Sequence, residues 1–265
     1  MPGAKSCYAK LAKVIVGDGK NMENIKISKN CDAFIYNDLE IYTTNVFLIE
    51  KKSKIFLIDT FCGSDSMMPI KEIIKHKYNN KEVIVINTHF HWDHVWGNSS
   101  FKENTIIGHE QCRELLDKYW EEQLKKNEKY ILGNVEKYLP NVTFKENINF
   151  INEGIEIFYS PGHTVDSISI FDHDEKILYA GDNLEKPIIH VENNDIETYI
   201  KTLEKYLDYK PKKITASHTL NLTEEDIYQM IEYLNDLKNG KKIEFETEHM
   251  RKIHMENYNL IHGIL

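Results

Sequence analysis

Seven consecutive residues, Thr-His-Phe-His-Trp-Asp-His at positions 88–94, restrict the chemistry of this chain more than any other segment. They place three imidazoles and one carboxylate close together, on His89, His91, Asp93 and His94. In an extended segment the side chains two residues apart point the same way, so His89 and His91 share a face. Asp93 and His94 follow where this alternation breaks, and a turn into a helix would present them from another direction. The arrangement suits two neighbouring metal ions, zinc first, with iron or manganese as alternatives.

Three further potential ligands each come shortly after an apolar run that predicts a β-strand: His163, Asp182 and His218. The histidine cluster itself follows the apolar run 83–86 in the same way. Open α/β sheets bind ligands beyond the ends of their strands, so we expect these groups to meet along one sheet edge. The alternative is a surface histidine cluster or a set of hydrogen-bonded buried imidazoles.

Apolar periodicity predicts strands and helices that alternate along the chain. Strand-like runs lie at 43–50, 55–59, 83–86, 155–159, 168–171, 177–180 and 214–216. Helical spacing lies at 67–78 and 110–127, after a cap at Asp195, and after a capping box of Thr223 and Asp226. This mixture indicates a layered α/β protein. We expect a loosely ordered N-terminal segment at 1–32, one main domain at 33–222 and a helical segment packed on it at 223–265.

Composition excludes several classes of protein. The 265 residues are 41% hydrophobic and carry a net charge of −9, which supports a globular core and argues against a nucleic-acid binder. No apolar run approaches the roughly 20 residues that span a bilayer, so we expect a cytoplasmic protein. The cysteines form no C-x-x-C pair, which argues against a cysteine zinc site. The expected partner is a small-molecule substrate, with no nucleic acid and no membrane, and a homodimer is left open.

Several motifs together resemble the metallo-β-lactamase superfamily. The matching blocks are T-H-F-H-W-D-H at 88–94, P-G-H-T at 161–164 with Asp166 and Ser167 behind it, A-G-D at 180–182, and His218. Their order and spacing agree with the family over about residues 33–220. The resemblance implies an α/β fold of four layers, an αββα sandwich with two β-sheets between helices.

The resemblance also implies two sets of three metal ligands joined by one bridging carboxylate, Asp182. The sets are His89, His91 and His163 for one ion, and Asp93, His94 and His218 for the other. A hydroxide that bridges two divalent ions is available near neutral pH because metal binding lowers the pKa of water to about 7. Asp93 would add a catalytic role by orienting this hydroxide.

Departures from branches of the family narrow the implied activity. Asp182 stands where secreted β-lactamases of the superfamily often have cysteine, and His91 stands where the oxygen-reducing diiron branch has glutamate. The large additional domains or basic extensions of the nucleases are not evident. The resemblance therefore implies a glyoxalase-II-like hydrolase that cleaves a small thioester, ester, lactone or amide. A mononuclear-iron persulfide dioxygenase on the same fold and a phosphodiesterase are the alternatives.

Residues near the ligands in sequence are candidates for supporting roles. Those that could orient imidazoles are Asp59, Thr88, Ser217 and Thr219. Three aromatic residues flank the cluster, and we expect at least two of them in the core: Phe90, Trp92 and Trp96. Other histidines lack metal-ligand spacing and are predicted on the surface: His76, His173, His190, His249, His254 and His262. Residues 120–139 predict a solvated amphipathic helix, with a lid or dimer surface as the alternative.

Overall fold

The computed structural model describes residues 12–16, 20–40, 42–78 and 80–264. Of the N-terminal segment that we expected to be loosely ordered, residues 1–11 and 17–19 lie outside the described residues, as does Cys7. Residues 12–16 and 20–26 form two strands instead, which pair with each other and extend a sheet. The proposed domain boundaries at 33 and 223 stay predictions.

Within the described residues, one sheet has eight strands that lie side by side in sequence order. These are β1 Ala12–Val16, β2 Lys20–Lys26, β3 Cys31–Tyr36, β4 Thr44–Glu50, β5 Lys54–Ile58, β6 Glu82–Ile86, β7 Thr105–His109 and β8 Val142–Phe144. Neighbours from β1 to β5 pair antiparallel. Neighbours from β5 to β8 pair parallel, with helices on the connections. Parallel pairing brings the carboxyl ends of these strands to one edge.

A second sheet contains five strands in the order β13-β12-β11-β10-β9. Their bounds are β9 Asn147–Phe150, β10 Ile155–Tyr159, β11 Ile168–Asp172, β12 Ile177–Tyr179 and β13 Lys213–Thr215. β12 and β13 pair parallel. β10 and β12 each pair antiparallel with β11, so they run in the same direction. β10, β12 and β13 therefore end on the same side of the sheet.

The described helices are α1 Ser64–Lys77, α2 Trp92–Val95, α3 Glu110–Lys126, α4 Ile196–Asp208, α5 Glu224–Lys238 and α6 Glu248–His262. The predicted caps are confirmed. The Asp195 side chain accepts a hydrogen bond from the Thr198 amide at the start of α4. Thr223 and Asp226 form a reciprocal capping box at the start of α5. None of the helices in the described part of the chain has the length and hydropathy needed to cross a bilayer.

The helix predicted over 120–139 is right only as far as Lys126. Beyond it a short 3-10 turn, Glu128–Tyr130, leads the backbone back to the start of α1. There the Leu132 amide donates to Cys62 O at 3.0 Å, and the Asp65 amide in the first turn of α1 donates to Leu132 O at 3.1 Å. Gly133 adopts a left-handed φ of 79°, which a helix interior does not contain. Tertiary hydrogen bonds therefore replace helical ones in this segment.

Three apolar clusters separate the layers. Between the sheets, Phe47 and Ile86 pack with Ile157 and Ile170. On the outer face of the first sheet lie residues of α1 and α3, such as Met67, Ile70, Leu116 and Trp120. On the outer face of the second lie residues of α4 and α5, such as Leu203, Ile227 and Leu234. Each fully buried aliphatic side chain stabilises the fold by roughly 1.5–3 kcal/mol. The predicted four-layer αββα sandwich is confirmed.

Candidate metal centre

The predicted ligands meet where four strands end. The loops after β6, β10, β12 and β13 carry, in that order, His89, His163, Asp182 and His218. Backbone hydrogen bonds tie these loops together. The Ile168 amide donates to Thr88 O at 2.9 Å across the two sheets, and the Ser217 amide donates to Gly181 O at 3.0 Å. The sheet edges therefore hold the ligand-bearing loops at a common mouth, as expected from the strand-end pattern.

The histidine cluster approaches from two directions because a helix begins inside it. His91 has an extended backbone and is the N-cap of the short helix α2, which begins at Trp92. Asp93 and His94 lie on that helix, and both are buried. The predicted break in alternation is thus a strand-to-helix transition within the cluster.

Glycine next to His163 permits close packing of its loop. A Cβ at Gly162 would lie 2.4 Å from the ring of Tyr199 and 2.7 Å from Asn183 Oδ1. Asn183 Oδ1 also accepts a hydrogen bond of 2.8 Å from the His163 amide. A larger residue at 162 would therefore displace the backbone that carries His163.

The seven predicted ligands form two groups. The ligand atoms of His89, His91, His163 and Asp182 lie within 4.8 Å of one another, and so do those of Asp93, His94 and His218. Oδ2 of Asp182 contacts both groups. It lies 3.0 Å from His218 Nε2 and 3.3 Å from His94 Nε2, and 3.7 Å and 3.9 Å from Nε2 of His89 and His163. One carboxylate oxygen is thus shared by the two groups.

Two of the imidazoles are oriented by backbone carbonyls. Nδ1 of His163 lies 2.8 Å from His190 O, and Nδ1 of His218 lies 2.7 Å from Thr43 O. A carbonyl oxygen only accepts hydrogen bonds, so each Nδ1 carries the proton. Nε2 of each ring then faces the centre, and its lone pair is available to a metal ion once that nitrogen is unprotonated.

Two more imidazoles share a buried carboxylate, Asp59. Oδ2 of Asp59 accepts hydrogen bonds of 2.8 Å from His94 Nδ1 and from Thr88 Oγ1. Thr88 Oγ1 lies 3.1 Å from His89 Nδ1 and can accept a hydrogen bond from it while donating one to Asp59. This series of hydrogen bonds leaves Nε2 of both His89 and His94 facing the centre. Asp59 and Thr88 therefore have the supporting role predicted for them, whereas Ser217 binds neighbouring loops through its backbone.

The fifth imidazole is oriented by a residue that sequence reasoning missed. His91 Nε2 lies 3.0 Å from Glu192 Oε2, and its Nδ1 faces the centre, 2.9 Å from His89 Nε2 and 3.2 Å from His163 Nε2. Burial disfavours the ionised form of Glu192, but the neighbouring His91 outweighs it and lowers the pKa of Glu192 to about 2. No motif marks Glu192, because it lies in an irregular segment before α4.

The pKa values of the buried ligands are shifted in different directions. Burial, reinforced by the charge of His94, holds the pKa of His89 well below its usual value. Burial also disfavours charge on His218, but Asp182 outweighs it and raises the pKa of His218 to about 9. The pKa of Asp182 is held well below its usual value, because His218 and His94 overcome the effect of burial. The carboxylates of the centre thus stay ionised and attract positive charge.

Unpaired buried atoms show that the residues fit divalent cations. His94 Nε2 and Asp182 Oδ1 are closed to solvent and have no hydrogen-bond partner. Buried polar atoms without partners are rare in folded proteins and call for an explanation. A cation between the two groups would pair with both atoms, and a set of imidazole and carboxylate donors matches zinc best, with iron or manganese next.

A cavity of about 530 Å³ opens over the centre. Its aromatic wall consists of Tyr42, Phe90, Trp92 and Tyr119. Apart from the predicted ligands, its charged side chains are Glu122, Lys126, Glu185 and Glu192. Of the three aromatic residues flanking the histidine cluster, Trp96 is fully buried in the core, while the other two both pack against the core and line the cavity.

Two of the histidines expected on the surface lie elsewhere. His190 lines the cavity, and its carbonyl orients His163. His254 is buried between α5 and α6 beside Tyr233 and Phe245. The sequence around His254 is mostly polar, and the packing of α5 and α6 encloses it, whereas His190 lies between the buried apolar residues Ile189 and Val191. His76, His173, His249 and His262 are exposed as predicted.

The chain is similar in sequence to several known proteins. The family model of the metallo-beta-lactamase superfamily matches residues 40–218. A Beta-lactamase-like protein 2 homolog of Drosophila melanogaster is 28% identical over 201 residues, covering 72% of this chain and 63% of that protein. The Caenorhabditis elegans homolog of the same name is 24% identical over 195 residues, covering 66% of this chain and 55% of that protein. The chain thus spans less than two thirds of the length of these relatives.

Two bacterial proteins extend the comparison. Metallo-beta-lactamase type 2 of Bacillus cereus is 25% identical over 175 residues, covering 64% of this chain and 63% of that protein. The solved structure of a metallo-beta-lactamase from Pontibacter korlensis superposes with a TM-score of 0.65 at 19% identity, over 81% of this chain and 99% of that one. At that identity the superposition shows the fold. With the family match over more than half of its residues, the chain belongs to the metallo-β-lactamase superfamily.

Proposed function

We propose that the protein is a metal-dependent hydrolase that cleaves a small thioester, ester, lactone or amide. It uses two divalent metal ions, for which zinc is the best match. One observation carries this proposal. Two groups of metal ligands share a single buried carboxylate, Asp182, at the base of an open cavity. A site of this kind can hold two ions side by side and admit a substrate to them.

The residues of this chain divide the work between binding and orientation. When bound, the two ions would supply a water of lowered pKa and would polarise the scissile carbonyl. His89, His91 and His163 would hold one ion, Asp93, His94 and His218 the other, and Asp182 both. Oδ2 of Asp93 lies 3.4 Å from His94 Nε2 and 3.6 Å from His218 Nε2, within the second group. We assign it the further role of orienting the attacking water.

The lining of the cavity favours an uncharged substrate with an apolar part. Its four aromatic side chains provide apolar contact. Its charged side chains outside the ligand set are three glutamates and a single lysine, Lys126. Burial raises the pKa of Glu185 to about 7, which reduces but does not reverse this acidic balance. A polyanion such as RNA is held by clusters of basic residues, so the lining argues against the phosphodiesterase alternative.

Metal analysis and a substrate panel test the proposal. Metal-free protein would be reloaded with zinc, iron(II) or manganese, and the ions per chain counted by elemental analysis. The panel would contain phenyl acetate, S-phenyl thioacetate, a γ-lactone, an anilide and bis(4-nitrophenyl) phosphate. We expect two ions per chain and turnover of at least one acyl substrate, abolished in Asp182→Ala and retained in Asp208→Asn, a change at an exposed carboxylate on α4.

Other outcomes would contradict the proposal in distinguishable ways. One iron per chain, with oxygen uptake on a persulfide and no hydrolysis, would establish the dioxygenase alternative. Hydrolysis confined to the phosphodiester would establish the other. Phenyl acetate and 4-acetoxybenzoate form a matched pair that tests charge preference, and a higher kcat/KM for the anionic member would overturn the uncharged substrate class.

A further inference from the structure

One loop carries two of the groups that orient ligand imidazoles. Residues 186–195 connect Asp182 to α4 without regular structure. The carbonyl of His190 accepts from His163 Nδ1 at 2.8 Å, and the carboxylate of Glu192 accepts from His91 Nε2 at 3.0 Å. The position of this loop backbone therefore sets the direction of two imidazoles in the first ligand group.

A side chain of the C-terminal helix holds the same loop. Asn257 on α6 is 2% exposed, and its Oδ1 accepts a hydrogen bond of 2.9 Å from the Val191 amide. Its Nδ2 donates to Ile189 O at 2.8 Å, and also to Tyr233 Oη at 2.9 Å. Asn257 thus binds the backbone on both sides of His190, with its one acceptor and both of its donors in use.

We propose that Asn257 is a positioning residue of the metal centre, and that α6 through it completes a site whose ligands all come from residues 89–218. The proposal rests on the proposed function, because it takes the centre to bind metal. The family match ends at residue 218, so α6 lies outside it. The proposal therefore gives a role in metal binding to a helix outside the region that the family model matches.

The effect is specific to one ligand group. His163 and His91 depend on the loop that Asn257 holds. His94 Nδ1 donates to Asp59, and His218 Nδ1 donates to the Thr43 carbonyl. Both acceptors lie on other elements of the fold. Loss of an outer-shell partner typically lowers metal affinity about 10–100-fold, and Asn257 acts one contact further out. We therefore expect a selective loss of about tenfold at the first group.

The test compares two asparagines on one helix. Asn257→Leu keeps the size of the side chain and removes its hydrogen bonds to the loop. Asn259→Leu is the matched control, because Asn259 lies on α6 and is partly exposed. Chelator competition with Co²⁺ and Zn²⁺ measures the two binding steps. We expect Asn257→Leu to weaken one step about tenfold and leave the other unchanged, and Asn259→Leu to match the unmutated protein.

A metal-independent readout separates this inference from the proposed function. In metal-free protein, ¹⁵N NMR of the histidine rings reports which nitrogen of His163 and His91 carries the proton. We expect the defined Nδ1–H tautomer of His163 to be lost in Asn257→Leu. If the unmutated protein bound no metal, the proposed function would fail, whereas a tautomer change confined to Asn257→Leu would still establish the positioning.

Two further variants keep the inference testable if Asn257→Leu does not fold. Tyr233→Phe removes one partner of Asn257 and keeps its two hydrogen bonds to the loop, so it should shift the same binding step and ring signals by less than the leucine variant. Asn257→Asp keeps the acceptor for the Val191 amide but turns a carboxylate oxygen toward Ile189 O in place of the donor, so it should shift them at least as far as the leucine variant. Unchanged rings and affinities in these variants, or equal weakening of both metal steps, would overturn the proposal.

Discussion

Asp59 and His94 are joined by a hydrogen bond of 2.8 Å between Oδ2 and Nδ1, and neither side chain has measurable exposure to solvent. Asp59 holds this position with a left-handed φ of 65°, a conformation that typically costs a non-glycine residue about 1–3 kcal/mol. The chain tolerates this strain at the end of β5, where the carboxylate can reach both Thr88 and His94. The strain therefore coincides with the orientation of a predicted metal ligand.

Asp59→Asn should weaken the second metal step. The carboxylate accepts from Thr88 at one oxygen, and from both Thr88 and His94 at the other. Asparagine has one acceptor oxygen, so its NH2 group must face a donor. We expect the affinity of the Asp93, His94 and His218 group to fall about 10–100-fold in chelator competition. Asp208→Asn is the control, and equal affinities in the two variants would rule out this role for Asp59.

Asp182→Ala and His163→Ala should differ in how many metal ions they release. Asp182 contacts both groups, so its loss should remove the second ion and reduce turnover by more than about a hundredfold, since even outer-shell losses reach that size. His163 belongs to the first group only, so its loss should weaken one step. Metal content after dialysis distinguishes the two. Retained turnover with two ions bound in Asp182→Ala would refute the bridging assignment.

Lys51→Ala should destabilise the fold without altering the centre. The Lys51 side chain is 4% exposed and pairs with the buried Asp172 at 2.7 Å and with Asp174 at 2.9 Å. Removing one member of a buried pair strands the other charge, which costs about 3–5 kcal/mol. Lys26→Ala is the control, because its ion pair with Asp32 is half-exposed and should contribute about 0–1 kcal/mol. Urea unfolding measures both, and equal losses would contradict the prediction.

Asp166→Asn should change how the stability of the metal-free protein depends on pH. Burial raises the pKa of Asp166 to about 6, and it outweighs the neighbouring groups, Thr164 and Cys112 among them, that favour the ionised carboxylate. The folded state therefore binds this proton more tightly than the unfolded chain, whose pKa is about 3.9. The stability that this proton contributes is complete below pH 4 and is lost as the pH rises through 6.

Asparagine carries no such charge, so Asp166→Asn should be more stable than the unmutated protein at pH 7, by up to about 2–3 kcal/mol. At pH 4 the two proteins should differ little. Urea unfolding at both values measures the difference, with Asp208→Asn as the control. A variant that follows the unmutated profile would show that Asp166 is ionised in the folded protein at no cost.

Much of the fold could be predicted because local patterns dominate it. The strand Ile155–Tyr159 has the predicted bounds, and α4 begins after the predicted cap. Period-2 and period-3.6 apolar spacing reflects burial of one or both faces, which each segment needs wherever it packs. The prediction was wrong beyond Lys126, where a 3-10 turn and then hydrogen bonds between Leu132 and the start of α1 replace the α-helix.

The meeting of the seven predicted ligands could also be predicted, because their places after strands follow from chain order. Most of the groups that orient them could not. The carbonyl of Thr43 binds His218 across 175 positions, and Asn257 binds Val191 across 66. Every residue has a carbonyl, and an asparagine in a polar helix has no distinctive spacing. Which of them face the centre depends on how distant segments pack together, a property that no short stretch of this chain contains.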